Sequence, residues 1–476
     1  MVNSIRSKIA TDTDQQRAVG SSRHAIVIGG SIAGLLAGRV LAEHFDQVTI
    51  VERDRFPEKP QPRTGVPQSH QLHVLLYQGQ RILEQFFPGL TDELASKGAE
   101  AVDWAADYRW LFLGGWGPRF PSGITTNSCT RNLLEAIIRQ RLAVKSNVEF
   151  LEACTVTDLF TNTGNAAVKG VRVRERNGTE VELPAQFVVD ASGRTSKAPK
   201  WLQDLGYEIP KETAINSFLG YASREYQSLS GQPLDYKVLY LMPKAPDNPR
   251  GGVIYRVEGR WIVALIGVGR DYPPTDEAGF LDFARSLHSP EIYEAIKDAQ
   301  PISPIYGYQR TENRVRHYER LSQFPENFVV VGDAVCAFNP VYGQGMTIAA
   351  LGALTLDQCL KQQNQHRSNG NLTGLAQRFQ KQLAKVNSVP WLMATGDDCR
   401  WPTTEGGQPD RMTRLMHWYL DQVMLVAGES AEVYKVLLEV IHLLKPPTAF
   451  FQPGILAQVL RQVLNGRSKA ASIAQG

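Results

Sequence analysis

Residues 24–54 read HAIVIGGSIAGLLAGRVLAEHFDQVTIVERD. An apolar run, a glycine turn, a helix with an apolar face and a second apolar run make a βαβ unit, which demands a parallel sheet covered by helices. The turn also has the form of a dinucleotide site. Gly29 suits the tight turn, with Gly30 beside it. Ser31 is small where the backbone must approach a pyrophosphate, and Ala33 and Gly34 allow the helix to pack closely on the strand. The free amides of the helix start would bind phosphate. Glu52, at the end of the second run and followed by Arg53, is placed to accept hydrogen bonds from an adenosine ribose. A glycine turn without a ligand is the plain alternative, and the motif alone does not separate NAD from FAD.

A second stretch makes that choice. VVVGDAVCAFNPVYGQGMTIAAL, residues 329–351, begins as a buried strand and ends in a small-residue helix. Asp333 at the strand end can hydrogen-bond a ribityl hydroxyl. The loop Pro340-Val341-Tyr342-Gly343-Gln344-Gly345-Met346 opens the helix, so its amides and dipole would stabilise negative charge on a reduced flavin ring.

Between and after these motifs the pattern changes. A helix over TRNLLEAIIRQRL precedes strands at VEFLEA, VKGVRVRE and FVVDASG, read as more sheet of the same domain, with a hairpin turn at Asn177-Gly178. Alternating segments INSFLGYA, YKVLYLMP, GGVIYRVEG and RWIVALIGVG predict an antiparallel sheet, and the last third is patterned as amphipathic helix. The fold class is therefore α/β. A disordered tail is expected over 1–22, an FAD-binding domain over 23–80, 120–200 and 305–365, an inserted antiparallel substrate domain over 81–119 and 201–304, and a helical region over 366–476.

A formal charge of +3 with 21% charged residues leaves no clustered basic face for nucleic acid. The five cysteines show no metal-ligand spacing, and the first residues lack the apolar stretch of an export signal, which points to a cytoplasmic protein. No apolar run reaches the roughly 18 residues of a membrane span. For HLLKPPTAFFQPGILAQVLRQVL a core-capping helix is favoured over contact with a membrane surface.

GGSIAG with Glu52, DASGRTS (190–196) and VVVGDAVCAFNPVYGQG occur together and in order, and the chain resembles the group A flavoprotein monooxygenase superfamily, the fold of para-hydroxybenzoate hydroxylase and squalene epoxidase. RTGVPQSHQLHVLL (63–76) and PWLMATGDDCRWP (390–402) resemble a bacterial branch that includes polyether epoxidases. The resemblance implies that Glu52 binds ribose, that Arg131 contacts FAD near its phosphates, that Asp333 holds the ribityl chain, and that Gly343, Gly345 and Met346 line the ring edge. It places Asp190 and Gly193 at the fingerprint that serves FAD and the nicotinamide donor, although Ala191 and Ser192 interrupt the family's Asp-Gly pair. His70 and His73, three apart, read as polar groups on one helical face beside the flavin, as do Arg63 and Gln68; Tyr342 belongs to the same candidate set, and no catalytic acid, base or nucleophile stands out.

The expected cofactors are FAD and NAD(P)H, the latter replaceable by a separate flavin reductase, with O2 and an apolar small molecule as partners. The implied reaction is oxygen insertion through a flavin hydroperoxide, with epoxidation of an isoprenoid or polyketide alkene preferred. Aromatic hydroxylation, prenyl-chain reduction or dehydrogenation, and a non-enzymatic prenyl-binding role are the alternatives. Halogenation is disfavoured because Trp110 and Trp116 form no W-x-W-x-I-P box.

Overall fold

In the computed structural model, structure is described for residues 22–231, 234–366 and 370–473. The expected tail, apart from Ser22, lies outside the described residues. The apolar runs that open the chain form a five-stranded parallel sheet ordered Phe328–Val330, Phe187–Asp190, His24–Ile28, Gln47–Glu52, Val148–Glu152. Ala25, Ile26 and Val27 are fully buried, as both faces of a parallel sheet require. The helices Ile32–Leu41 and Gly345–His366 pack together against it.

Four of these strands end at the same edge, at Ile28, Glu52, Asp190 and Val330. Because the central strand, the first in the chain, is flanked on one side by the next strand and on the other by one from much later, this edge is the crevice where open α/β sheets bind ligands. Motifs about 300 residues apart in sequence become neighbours there.

The strands of residues 148–193 divide between two sheets. Only Val148–Glu152 and Phe187–Asp190 join the parallel sheet; Cys154–Thr161, Val168–Glu175 and Glu180–Pro184 form a separate three-stranded antiparallel sheet. Their alternating pattern is that of strands with one solvated face. The Asn177-Gly178 turn does close its hairpin, with Gly178 at φ +87°.

A seven-stranded sheet is built from Tyr306–Tyr308, Gly220–Tyr226, Arg260–Gly267, Arg250–Val257, Val238–Leu241, Tyr108–Phe112 and Gly115–Trp116, in that order. Tyr306–Tyr308, assigned by the sequence to 305–365 of the nucleotide domain, thus pairs with the antiparallel sheet. Register aligns Trp110, Tyr240, Val253, Ala264 and Ser223 in one row across five strands. Helices Arg411–Ala427, Ala431–Ile441 and Pro453–Ile473 follow the helix Leu375–Asp398 and share an apolar core with Trp104, Tyr108, Trp110, Val238 and Tyr255.

Candidate functional site

The glycine turn is sterically exclusive. Gly29 has φ +99°, and a Cβ there would lie 2.7 Å from the Ala191 carbonyl oxygen. At Gly34 a Cβ would come within 1.7 Å of the Gly29 oxygen, so helix and strand meet only because Gly34 lacks a side chain. Gly332, at φ +61°, would place a Cβ 2.8 Å from that of Ala33, which joins the Asp333 turn to the same glycine loop. Ser31 precedes the helix Ile32–Leu41 without capping it through its side chain, which leaves first-turn amides open to an anion.

The side chain of Ser31 serves a charged cluster. Its hydroxyl donates to Glu135 Oε2 at 2.6 Å and accepts from Arg131 Nη2 at 2.7 Å. Arg131 and Glu135 face the same way because they are one turn apart on the helix Arg131–Ala143, which Thr130 caps. Glu52 Oε2 accepts from the Gly30 amide at 2.8 Å and lies 3.0 Å from Arg63 Nη1. Arg63 also reaches Asp54 at 3.1 Å and Glu135 at 2.9 Å. Burial opposes its charge, but Glu135, Glu52 and Asp54 outweigh burial and raise its pKa. Arg63 is therefore bonded to the acids beside the glycine turn, at the wall of the cavity described below. Asp54 and Glu135 were missed; the i,i+4 spacing of Arg131 and Glu135 was the available signal.

Asp190 also departs from expectation. Its carboxylate is wholly buried, accepts from the Ser192 amide at 2.9 Å and from the Ser196 hydroxyl, and is pushed up in pKa by burial. It clamps its own turn and does not border the cavity described below; Ala191, Ser192 and Gly193 do. Asp333 is partly exposed, with Arg194 Nε 3.9 Å away.

The ring loop is held from below. Asn339 caps it by accepting from the Val341 amide at 3.2 Å, Gly343 turns it at φ +64°, and Gly345 faces open space, with no atom within 4 Å of the point a Cβ would occupy. Tyr342 donates towards Asp398 at 2.8 Å and Asp397 at 3.1 Å, and burial followed by those two acids raises its pKa far above the ordinary value. Asp398 is 1% exposed and also accepts from Asn313 at 2.6 Å and Asn339 at 3.1 Å; burial pushes its pKa up to about 7. This acid, at the C-terminus of the helix Leu375–Asp398, was not singled out in the sequence, although it lies in PWLMATGDDCRWP.

The two histidines do not share a helical face. Pro67–His70 is a single 3-10 turn and Gln71 is extended. His70 stacks on Tyr306 with ring centroids 4.1 Å apart and is absent from the cavity wall. His73 lines the cavity, shares a 2.9 Å hydrogen bond with the Gln71 carbonyl, and is held neutral with a pKa of about 3 by burial and by Arg131.

One cavity of about 1580 Å³ runs along all of these elements. Of the sequence candidates, Gly29, Ser31, Ala33, Glu52, Arg53, Arg63, Gln68, His73, Arg131, Asp333, Pro340, Tyr342, Gly343, Gln344, Gly345 and Met346 line it. Gly30, Gly34, His70 and Asp190 do not. Its far part is walled by the sheet row Trp110, Tyr240, Val253, Ala264 and by Met393, Met416, Leu420 and Met424 of the C-terminal helices. A polar strip interrupts that wall, where Arg400 meets Asp421 at 2.6 Å and Asp397 at 3.2 Å. The site fits FAD: the glycine cradle excludes any larger residue, the helix start is uncapped, and Arg131 Nε and Gln344 Oε1 are buried without a hydrogen-bond partner.

A family profile described as an FAD binding domain matches residues 23–373. The chain is 32% identical over 386 residues to Protein Rv3254 of Mycobacterium tuberculosis, covering 79% of this chain and 80% of that one. It is 26% identical over 362 residues to kynurenine 3-monooxygenase of Salinispora arenicola, covering 70% and 72%. The solved structure of the flavin-dependent brominase Bmp2 superposes with a TM-score of 0.63 at 14% identity, covering 94% of this chain and 100% of that one, a likeness of fold. With the cradle, the parallel sheet and the family match in agreement, the chain belongs to the FAD-binding-domain family and is an FAD-dependent oxidoreductase of the flavin monooxygenase type.

Proposed function

We propose that this protein inserts one oxygen atom from O2 into an apolar substrate, with NAD(P)H as the electron source, and that the substrate is an isoprenoid or polyketide alkene. The observation that carries this reading is the continuity of the cavity from the glycine turn, past the Gly343–Met346 loop, to a wall of Trp110, Tyr240, Val253 and methionines. Bound FAD supplies the redox and oxygen chemistry. Arg131 and the helix start after Ser31 would hold its phosphates, Glu52 its ribose and Asp333 its ribityl chain. The amides at Gly343 to Met346 would face negative charge on the ring, and the aromatic wall would keep water from the reacting carbon. Epoxidation requires no side-chain base, and His73, neutral down to about pH 3, is unsuited to be one at neutral pH.

Aromatic hydroxylation is the second reading, favoured by one feature: Asp398, with its pKa of about 7, stands in the cavity wall behind Tyr342 and could accept a phenol's proton through it. Single turnover under ¹⁸O2 with an isoprenoid alkene tests the main reading. Product carrying label in an epoxide is expected. Unlabelled, reduced product would replace oxygenation with prenyl-chain reduction, and label found only on an aromatic substrate would replace epoxidation with hydroxylation. NADPH and NADH oxidation by the purified protein alone separates a direct donor from a partner reductase.

A further inference from the structure

The cavity has an exposed apolar mouth. Leu392 and Met412, each 66% exposed, and Phe451, 41% exposed, belong to three different C-terminal segments, yet all three also line the cavity. The exposed surface continues along the helices. On Arg411–Ala427, Arg411, Arg414, Leu415 and Trp418 are exposed at i, i+3, i+4 and i+7, one face of the helix. On Pro453–Ile473, which packs against it, Ala457, Leu460, Arg461 and Leu464 repeat that spacing. Lys385 and Val389 precede Leu392 on a third helix.

Charge on these stripes is basic apart from Asp410, the exposed cap of Arg411–Ala427, which lies beside Arg414. Lys385, Arg411, Arg414 and Arg461 are exposed and form no ion pair among the described residues. The sequence from Pro453 to Gly476 contains Arg461, Arg467 and Lys469 and no acidic residue. Large exposed apolar side chains on adjacent helices, set among unpaired cations, have the chemistry of an interfacial helix. Among the described residues no helix is long and apolar enough to cross a membrane, so the fit is to a surface.

We propose that the exposed stripes of these C-terminal helices dock on an anionic lipid surface, with Leu392, Met412 and Phe451 turned to the bilayer so that an apolar substrate passes from lipid into the cavity. The docking reverses the preference that sequence patterning gives to a core-capping role, because the pattern shows an apolar face without showing that it is left uncovered. The route into the cavity rests on the oxygenation reading above; the docking does not.

Co-sedimentation of the full-length protein with vesicles tests it, using phosphatidylcholine alone and phosphatidylcholine mixed with phosphatidylglycerol. Binding to the anionic vesicles is expected, weakened by salt. Two double variants, Arg411→Glu with Arg414→Glu and Leu415→Glu with Trp418→Glu, should each weaken it by about tenfold or more. None of the four residues lines the cavity, so FAD retention and circular dichroism should match the wild type and show the variants folded. A wild type that ignores both vesicles, or folded double variants that bind as well as it does, would overturn the proposal. So would a wild-type dimer that leaves vesicles alone and becomes monomeric with Leu415→Glu and Trp418→Glu, which would assign the stripes to a second copy of the chain. Vesicle binding without labelled product would leave the dock standing and remove the oxygenation reading.

Discussion

Asp398 offers a quantitative test of how the ring loop is built. In the folded chain burial holds its pKa at about 7, against 3.8 for the unperturbed group. Between those values the folded state keeps a proton that the unfolded state has released, so stability falls as pH rises through the window and levels off above about pH 7. The difference of roughly 3 pH units corresponds to about 4 kcal/mol. For 476 residues the unfolding entropy at the midpoint is about 1 kcal/mol/K, so the effect amounts to about 4 °C in Tm.

Asp398→Asn imitates the protonated group. Its amide can donate to Tyr342 while Tyr342 donates to Asp397, and its oxygen can accept from Asn313 and Asn339. In differential scanning calorimetry of flavin-free protein, the Tm of the variant minus that of the wild type should therefore rise by about 4 °C from pH 4 to pH 8. Asp397 is exposed and raises the Asp398 pKa by repulsion, so Asp397→Asn should move the midpoint of that rise to lower pH. A difference independent of pH, or one that falls as pH rises, would show that Asp398 is ionised in the folded protein and that the donors around it, not burial, set its charge.

Other outcomes follow from the site. Asp333→Ala should weaken FAD binding by about 1 kcal/mol or somewhat more, measured by titration of flavin fluorescence, and unchanged affinity would remove Asp333 from the site. Glycine substitutions should divide: Gly34→Ala, with no room against the Gly29 oxygen, should lose roughly 3 kcal/mol of stability, whereas Gly345→Ala should fold normally and change only flavin binding, as thermal unfolding with and without FAD will show. His73→Gln should leave the form of the pH–rate profile of single-turnover oxygen transfer intact while lowering the yield of product per NAD(P)H; loss of a limb from that profile would make His73 a proton carrier.

What could be read from the sequence was whatever is encoded within a few neighbouring residues. The βαβ unit, the glycine turn with Glu52, the Asp333 strand end, the Asn177-Gly178 hairpin and the amphipathic last third all depend on backbone sterics and periodicity, which act locally. Tertiary structure alone decided which residues became partners. Arg63 was read as a polar group beside the flavin; the fold supplies the partners that the sequence did not show, Glu52, Asp54 and Glu135, charges that compensate a buried guanidinium. Asp190 was read as a ligand-binding acid, but its turn closes over it. His70 and His73 were set on one helical face, but the chain straightens at Gln71 and sends one to Tyr306 and the other to the cavity. Asp398 acquired its raised pKa from burial, and the donors that oppose the rise come from a strand and a loop more than 50 residues away. Desolvation and charge pairing depend on everything within a few ångströms in space, and a linear pattern records only what is near along the chain.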